Sequence, residues 1–366
     1  MTYGYVKPTI GGDPEFFFYD KQEDGTYKLI PADKLLPGKD NPQSFFGGDA
    51  FFDGVQAEIN PKFNRCREVF VSRINSIFED MYSKIKNKYG NIYFVPHPSI
   101  KVDLDEIKGC DKECFRFGCA PDDCIYEERN IKYPDGKKFK KRFAGGHIHI
   151  GFSNTNLMRV FRDPDNLENA IKMMDLIAGT LSVSIANNQR EKDRRKWYGQ
   201  AGTYRIQPHG IEYRTLSPFW LTSPSLASLF TGLIRDSVRI VYGGGDKDLL
   251  DSIDINEVRK VIDTFDVKKA NEIVNDIVYP FYKSNIGNNA KTVPLASKKV
   301  RDFVDKMRVD GYDHYFSPYH MLYYWNVIKN PKVKIHHTWG GGILTLVNRL
   351  NRGNLTYEDF EVIKEL

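Results

Sequence analysis

Gly145-Gly146-His147-Ile148-His149-Ile150-Gly151, read together with Ile211-Glu212-Tyr213-Arg214, decides the fold. Polar and apolar residues alternate in both segments, the period of a half-buried β-strand. His147 and His149 therefore share one face of their strand, and Glu212 and Arg214 share one face of theirs. Upstream, Asp13-Pro14-Glu15 and the segment from Asp53 to Glu58 add carboxylates in extended sequence. Four strand-like segments bearing metal-binding and phosphate-binding side chains predict a cation-lined trough on one sheet. Asp13 and Glu15 project to the same side, where they repel unless a divalent cation relieves them; hard oxygen ligands suit Mg²⁺ or Mn²⁺. Glu58 shares a face with Gln56, whereas Asp53, at an odd offset, is assigned to a turn with Gly54. Of the two histidines, one is expected to bind metal through a neutral imidazole and the other to donate a hydrogen bond to substrate or phosphate.

The most basic stretch near these strands runs from Arg190 to Arg214. Guanidinium groups clamp phosphate oxygens through paired hydrogen bonds, so Arg194, Arg195, Arg205 and Arg214 are candidate nucleotide-binding residues. An exposed basic loop is the other reading of Arg194 and Arg195, while Arg205 and Arg214 lie in alternating sequence beside Glu212. No glycine-rich phosphate loop with its lysine is present, so a nucleotide would be held by metals and arginines.

Further out, the spacing predicts a strand over 10–19, a strand over 51–60 stopped by Pro61, and a helix over about 62–88 closed by Gly90. A hairpin arm is expected over 137–150 after a turn at Pro134-Asp135-Gly136. A second helix over 165–188 has Asp165 and Glu168 placed for reciprocal capping. A third helix begins near Ser223 with Pro224 in its first turn. The Gly243-Gly244-Gly245 break divides a core over 1–242 from a helical region over 246–366. In that region Tyr315, Phe316, Tyr319, Tyr323, Tyr324 and Trp325 are expected to pack onto the sheets. Strands interspersed with helices imply an α+β fold with a mainly antiparallel sheet.

At 366 residues, 41% hydrophobic and 13% aromatic, the chain has a globular composition. A net charge of +5 suits anionic ligands but is too small to imply nucleic acid, which the reading does not require. No apolar run reaches the roughly 18 residues that cross a bilayer, and the first residues lack secretory features. A cytoplasmic location is expected. Five cysteines also favour a reducing compartment. Cys110, Cys114, Cys119 and Cys124 could hold a structural zinc. However, the gaps of three, four and four residues depart from the usual pair spacing, so reduced thiols in a loop are preferred.

The ordered set Gly11-Gly12-Asp13-Pro14-Glu15-Phe16, Asp53 through Pro61, Ala144-Gly145-Gly146-His147-Ile148-His149 and Tyr198 through Trp220 resembles a known superfamily. It is that of glutamine synthetase and glutamate–cysteine ligase, and in particular its phage-associated COOH–NH2 ligase type 2 (amidoligase) branch. Gly118-Cys119-Ala120-Pro121-Asp122 is similar to a recurrent element of that branch. The resemblance implies a glutamine synthetase-like trough of antiparallel strands backed by helices, with ATP entering one end. It also implies two or three Mg²⁺ or Mn²⁺ ions. By position, Asp13, Glu15, Glu58, His147 and Glu212 would be metal ligands, and His149 would bond substrate or phosphate. Arg205 and Arg214 would hold phosphates. The implied reaction joins a carboxylate to an amine through an acyl phosphate, releasing ADP and phosphate. The acid and amine are left open among small molecules, peptide or protein side chains and a modified base, as is homo-oligomerisation. Asp13 stands where better-known relatives have glutamate, so its shorter arm would draw a metal inward or leave a water between. Two other readings use the same residues: a metal-dependent phosphoesterase or nuclease, and a non-catalytic phage structural protein that kept the fold.

Overall fold

A computed structural model describes residues 6–116, 123–126, 135–152, 155–186, 188–285 and 293–329. Among these, the strands in chain order are β1 (Thr9–Gly12), β2 (Glu15–Lys21), β3 (Tyr27–Ile30), β4 (Gln43–Phe45), β5 (Gly48–Asp53), β6 (Gln56–Pro61), β7 (Ile92–Val95), β8 (Ser99–Lys101), β9 (Asp123–Cys124), β10 (Lys141–Phe143), β11 (Ile148–Gly151), β12 (Thr203–Gln207) and β13 (Gly210–Tyr213). Their pairings are antiparallel. One sheet has the order β1-β11-β13-β12-β9, and a second has β3-β2-β6-β5-β4 with β7 also paired to β2. With the helices around them, this is the mixed helix and antiparallel-sheet class that the sequence implies.

The segment expected as one strand over 10–19 is two, and the break lies at Asp13-Pro14. Proline has no N–H to give a ladder, and the Asp13 N–H turns to the His147 carbonyl at 3.4 Å. β1 therefore ends in the first sheet and β2 begins in the second, so the two sheets meet at this corner. The segment over 51–60 is likewise two strands. Gly54 at φ +73° opens a two-residue turn, and Asp53 pairs across it with Gln56; only glycine takes that backbone readily at the first turn position. The 137–150 arm is not one hairpin either. Lys141–Phe143 pairs with β8 and Ile148–Gly151 joins the first sheet, while Pro134 lies outside the described residues.

Helix Arg67–Ile85 covers the second sheet with Val69, Phe70, Ile74, Ile77, Phe78 and Met81, all buried. Each contributes about 1.5–3 kcal/mol by leaving water. This helix closes before Gly90, where the Lys86 N–H reaches the Tyr82 carbonyl. The helix over Pro164–Met174 continues through a wide turn at Asp175–Gly179 into Thr180–Ile185. Its cap is Asp163, whose side chain accepts the Asp165 N–H, rather than Asp165 itself; Pro164 in the first turn needs no such bond. Glu168 pairs instead with Lys172 at 2.5 Å. Ser223 caps Pro224–Tyr242 as expected, accepting the Leu226 N–H.

Beyond Gly243 come helices that share this core, among them Ile255–Thr264, Val267–Ile273 and Lys298–Asp310. The aromatic run packs inward. Trp325 is fully buried, lies edge-on to Phe78 at 5.3 Å and donates its indole N–H to the Leu221 carbonyl at 2.6 Å. Tyr319 sits over Tyr27 of β3 at 4.1 Å. Among the described residues, no helix is long and apolar enough to cross a membrane.

Candidate active site

Strand register aligns four positions across the first sheet. Gly11 of β1 lies opposite His149 of β11, which lies opposite Glu212 of β13, which lies opposite Arg205 of β12. Ile10, Ile150 and Ile211 occupy the other face and are buried, so the alternation that defines these strands also fixes which way the polar row points. Gly145 allows the chain to fold over the His147 ring, and Gly146 allows it to lie against the Ser217 carbonyl. A Cβ on Gly145 would fall 2.3 Å from the His147 Nε2.

Asp13, projecting from the corner between the sheets, completes this row. Ligand atoms of Asp13, His149 and Glu212 all lie within 4.8 Å of one another. Asp13 Oδ1 is 3.1 Å from His149 Nε2 and 3.2 Å from His147 Nδ1. Burial pushes the Asp13 carboxyl up, but His149 and His147 together hold it well below the usual carboxylate range. Burial also works against the charge of Glu212, yet His147 and Arg214 keep its pKa low. Glu212 is held by the Arg214 guanidinium and accepts a bond from Gln207 at 2.6 Å, with Arg205 Nη1 at 3.8 Å.

His147 is tied into the protein. Arg214 donates to the Tyr198 hydroxyl at 2.9 Å, and that hydroxyl is 2.7 Å from His147 Nε2. The other ring nitrogen, Nδ1, lies 3.2 Å from Arg214 Nη1, 3.2 Å from Asp13 Oδ1 and 3.4 Å from Glu212 Oε1. The sequence expectation placed His147 on a metal and His149 on substrate or phosphate; the structure brings both rings to the Asp13 and Glu212 carboxylates. Burial, then Arg214, lowers the His147 pKa, whereas His149 is raised by Asp13 and Glu212 against the effect of its burial.

A second group lies across the corner. Glu15 of β2 stands directly opposite Glu58 of β6, and the β5–β6 turn brings Asp53 onto the same face. Their ligand atoms also fall within 4.8 Å of one another. Glu15 accepts the Gly145 N–H at 2.5 Å, which links this group to the histidine segment. Burial, then Asp53, pushes the Glu15 carboxyl well up; burial, then Asp13, does the same to Glu58. On the same face the buried Oε1 of Gln56 has no hydrogen-bond partner among the described residues. Buried like charges with raised pKa values and an unused oxygen fit a hard divalent cation, which removes the penalty on ionising each carboxylate. The other group, with one imidazole and two carboxylates, fits Mg²⁺ or Mn²⁺ as well.

Two expectations about arginines need correction. Arg194 is fully buried and donates to the carbonyls of Ala144 at 2.7 Å, Thr215 at 2.9 Å and Leu216 at 2.9 Å. Arg195 is buried beside it and bonds the Thr215 carbonyl. Both fasten the segments on either side of the site and are not presented to a nucleotide. Arg214 is buried too, whereas the Arg205 side chain keeps 27% of its exposure. Asp53, Tyr198 and Gln207 are site residues that the sequence reading missed. For Asp53 the signal was the Asp53-Gly54 turn itself, which reverses the parity count. Of the cysteines, Cys119 lies outside the described residues, and Cys124 sits apart on β9, its Sγ 3.6 Å from the Ala201 carbonyl. The four do not form one group among the described residues.

No curated protein matches the chain in sequence. Among solved structures, a bifunctional glutathione synthetase from Pasteurella multocida superposes with a TM-score of 0.41 at 12% identity, over 87% of this chain and 51% of that one. The chain thus spans about half the length of that protein. Residues 122–235, which carry both histidines, Arg205, Glu212 and Arg214, match the family described as phage phiEco32-like COOH.NH2 ligase-type 2, the same family that the motifs resemble.

Proposed function

We propose that the protein is an ATP-dependent carboxylate–amine ligase that makes an amide through an acyl phosphate, on a glutamine synthetase-like trough. The observation that carries this reading is the meeting of two ligand groups at the Asp13-Pro14 corner, with Arg205 in register beside them. Glu15, Asp53 and Glu58 would hold one divalent ion, and Asp13, His149 and Glu212 another. Such ions neutralise phosphate oxygens so that an anionic nucleophile can approach. On this reading residues 1–242 form the catalytic core and the later helices buttress it.

The substrate carboxylate oxygen attacks the γ-phosphorus of ATP and the bond to ADP breaks. An amine then attacks the acyl carbon, loses a proton, and phosphate departs. Arg205, partly exposed, is placed to hold the transferring phosphoryl group. Arg214 acts one step back by fixing Glu212, Tyr198 and His147 in position.

The test is ADP release with Mg²⁺ across a panel of acid and amine pairs, using Glu212→Ala as the control. ADP formed only when both partners are present supports the ligase. Equal rates in the variant contradict the site, and phosphate release from nucleic acid without either partner would favour a phosphoesterase.

A further inference from the structure

Outside this site a third ligand group stands on the far side of the β5–β6 turn. Asp33, in the short helical turn Ala32–Lys34, comes together with Cys110 and Cys114, their ligand atoms within 4.8 Å of one another. We propose that Asp33, Cys110 and Cys114 form a zinc site that fastens the 103–116 segment to the hairpin carrying Asp53 and Glu58.

Two thiolates and one carboxylate are a borderline-soft donor set that suits Zn²⁺ and disfavours Mg²⁺. Bound thiolates at about 2.3 Å from a tetrahedral zinc lie roughly 3.8 Å apart, so a small closure from the present spacing suffices. The carboxylate has an oxygen to give. Asp33 Oδ2 takes Lys34 Nζ at 3.1 Å and the Asp111 N–H at 2.9 Å, while Oδ1 is buried without a hydrogen-bond partner among the described residues, and the side chain keeps only 7% of its exposure. Three anionic ligands around one Zn²⁺ leave a single negative charge, which Lys34 balances from the same turn. The fourth position falls to a water. Burial, then Asp33, pushes the Cys110 thiol up to about 11, and burial pushes Cys114 higher still. Neither is a reactive thiolate by itself, and metal capture would release their protons.

The location gives the metal a structural consequence. The Cys114 thiol contacts the Gly54 carbonyl at 3.1 Å, and the Ala32 N–H bonds the Val55 carbonyl at 3.1 Å. Gly54 and Val55 are the two turn residues next to Asp53. A cation here would therefore stiffen the hairpin that presents two of the three carboxylates in the acidic group.

The experiment uses the full chain, stripped of metal under reducing conditions and titrated with Co²⁺ and Zn²⁺. About one tightly bound equivalent with intense thiolate-to-cobalt charge-transfer absorption is expected, bleached by Zn²⁺. That absorption should vanish in Cys110→Ser and Cys114→Ser, weaken at least tenfold in affinity in Asp33→Asn, and persist in Cys124→Ser and Glu58→Gln. No thiolate absorption in the folded wild-type chain would overturn the proposal, whatever the variants do. So would loss in Cys124→Ser, which would restore the four-cysteine set, or a Cys110–Cys114 disulfide found under reducing conditions.

Discussion

At the scale of single residues, the acidic group works against its own fold. A carboxyl raised above its ordinary value of 4.5, as Glu58 is, stabilises the protein below about that pH and loses the contribution as pH rises. Glu58→Gln is therefore expected to raise the melting temperature of metal-free protein, more at pH 8 than at pH 5. The same substitution should weaken Mg²⁺-dependent stabilisation about 100-fold or more in affinity, so the order of the two melting curves inverts when Mg²⁺ is added. Thermal denaturation at two pH values, with and without the ion, checks both halves. Tyr198 is the second residue whose role is exposed by a small change. Tyr198→Phe takes the hydroxyl away from the buried Arg214 guanidinium and from the His147 Nε2, a cost of about 1–3 kcal/mol. Urea unfolding measures it; an unchanged midpoint would remove Tyr198 from the network. The sequence showed these residues unevenly. Glu15, Glu58, His149 and Glu212 announced themselves by charge in alternating segments. Burial is a property of the whole fold, so nothing local distinguished Arg194, locked to three carbonyls, from an arginine awaiting phosphate.

Among the elements, the hairpin turn decides the acidic group. Counting parity along one continuous strand separates Asp53 from Glu58; inserting a two-residue turn returns them to the same face, because Asp53 pairs with Gln56 and Gln56 shares a side with Glu58. The extended segment was legible in the sequence, but its division into two strands rested on reading Asp53-Gly54 as a turn inside it. The break at Pro14 is the same lesson: a proline in an apolar run moved the chain from one sheet to the other, which no periodicity reports. Gly54→Val tests the turn. A β-branched residue at φ +73° costs about 1–2 kcal/mol, and the displaced Asp53 should weaken divalent-ion binding in the same variant. Calorimetric titration alongside urea unfolding follows the pair. Ion affinity left intact by a destabilising Gly54→Val would uncouple the turn from the site. Helix caps were legible where serine precedes proline, as at Ser223, and misplaced by two residues at Asp163, where the competing Asp165 is equally suited by type.

For the molecule as a whole, one buried group outside the site sets part of the acid response. Burial, then Arg190, lowers the His97 pKa to about 3. The unfolded chain therefore binds a proton that the folded chain refuses between pH 6.5 and about 3, and stability falls as pH drops through that window. The loss attributable to His97 is on the order of 2 kcal/mol by pH 5. In His97→Gln, which lacks the titration, the curve of stability against pH should be flatter over that range, whatever its absolute height; parallel curves would contradict the assignment. Long-range assembly was the least legible level. Opposition of Glu15 to Glu58, and of His149 to Glu212, depends on register between strands that are tens of residues apart, and only the fold supplies it.

The proposed site has separate strands bring these side chains together to hold divalent ions, and Mn²⁺ binding to the full chain, followed by electron paramagnetic resonance, reaches that claim most directly. Two or more bound ions per chain are predicted, one class lost in Glu58→Gln and another in Glu212→Gln. Absence of binding at millimolar Mn²⁺, or equal binding by wild type and a variant carrying both substitutions, would contradict it.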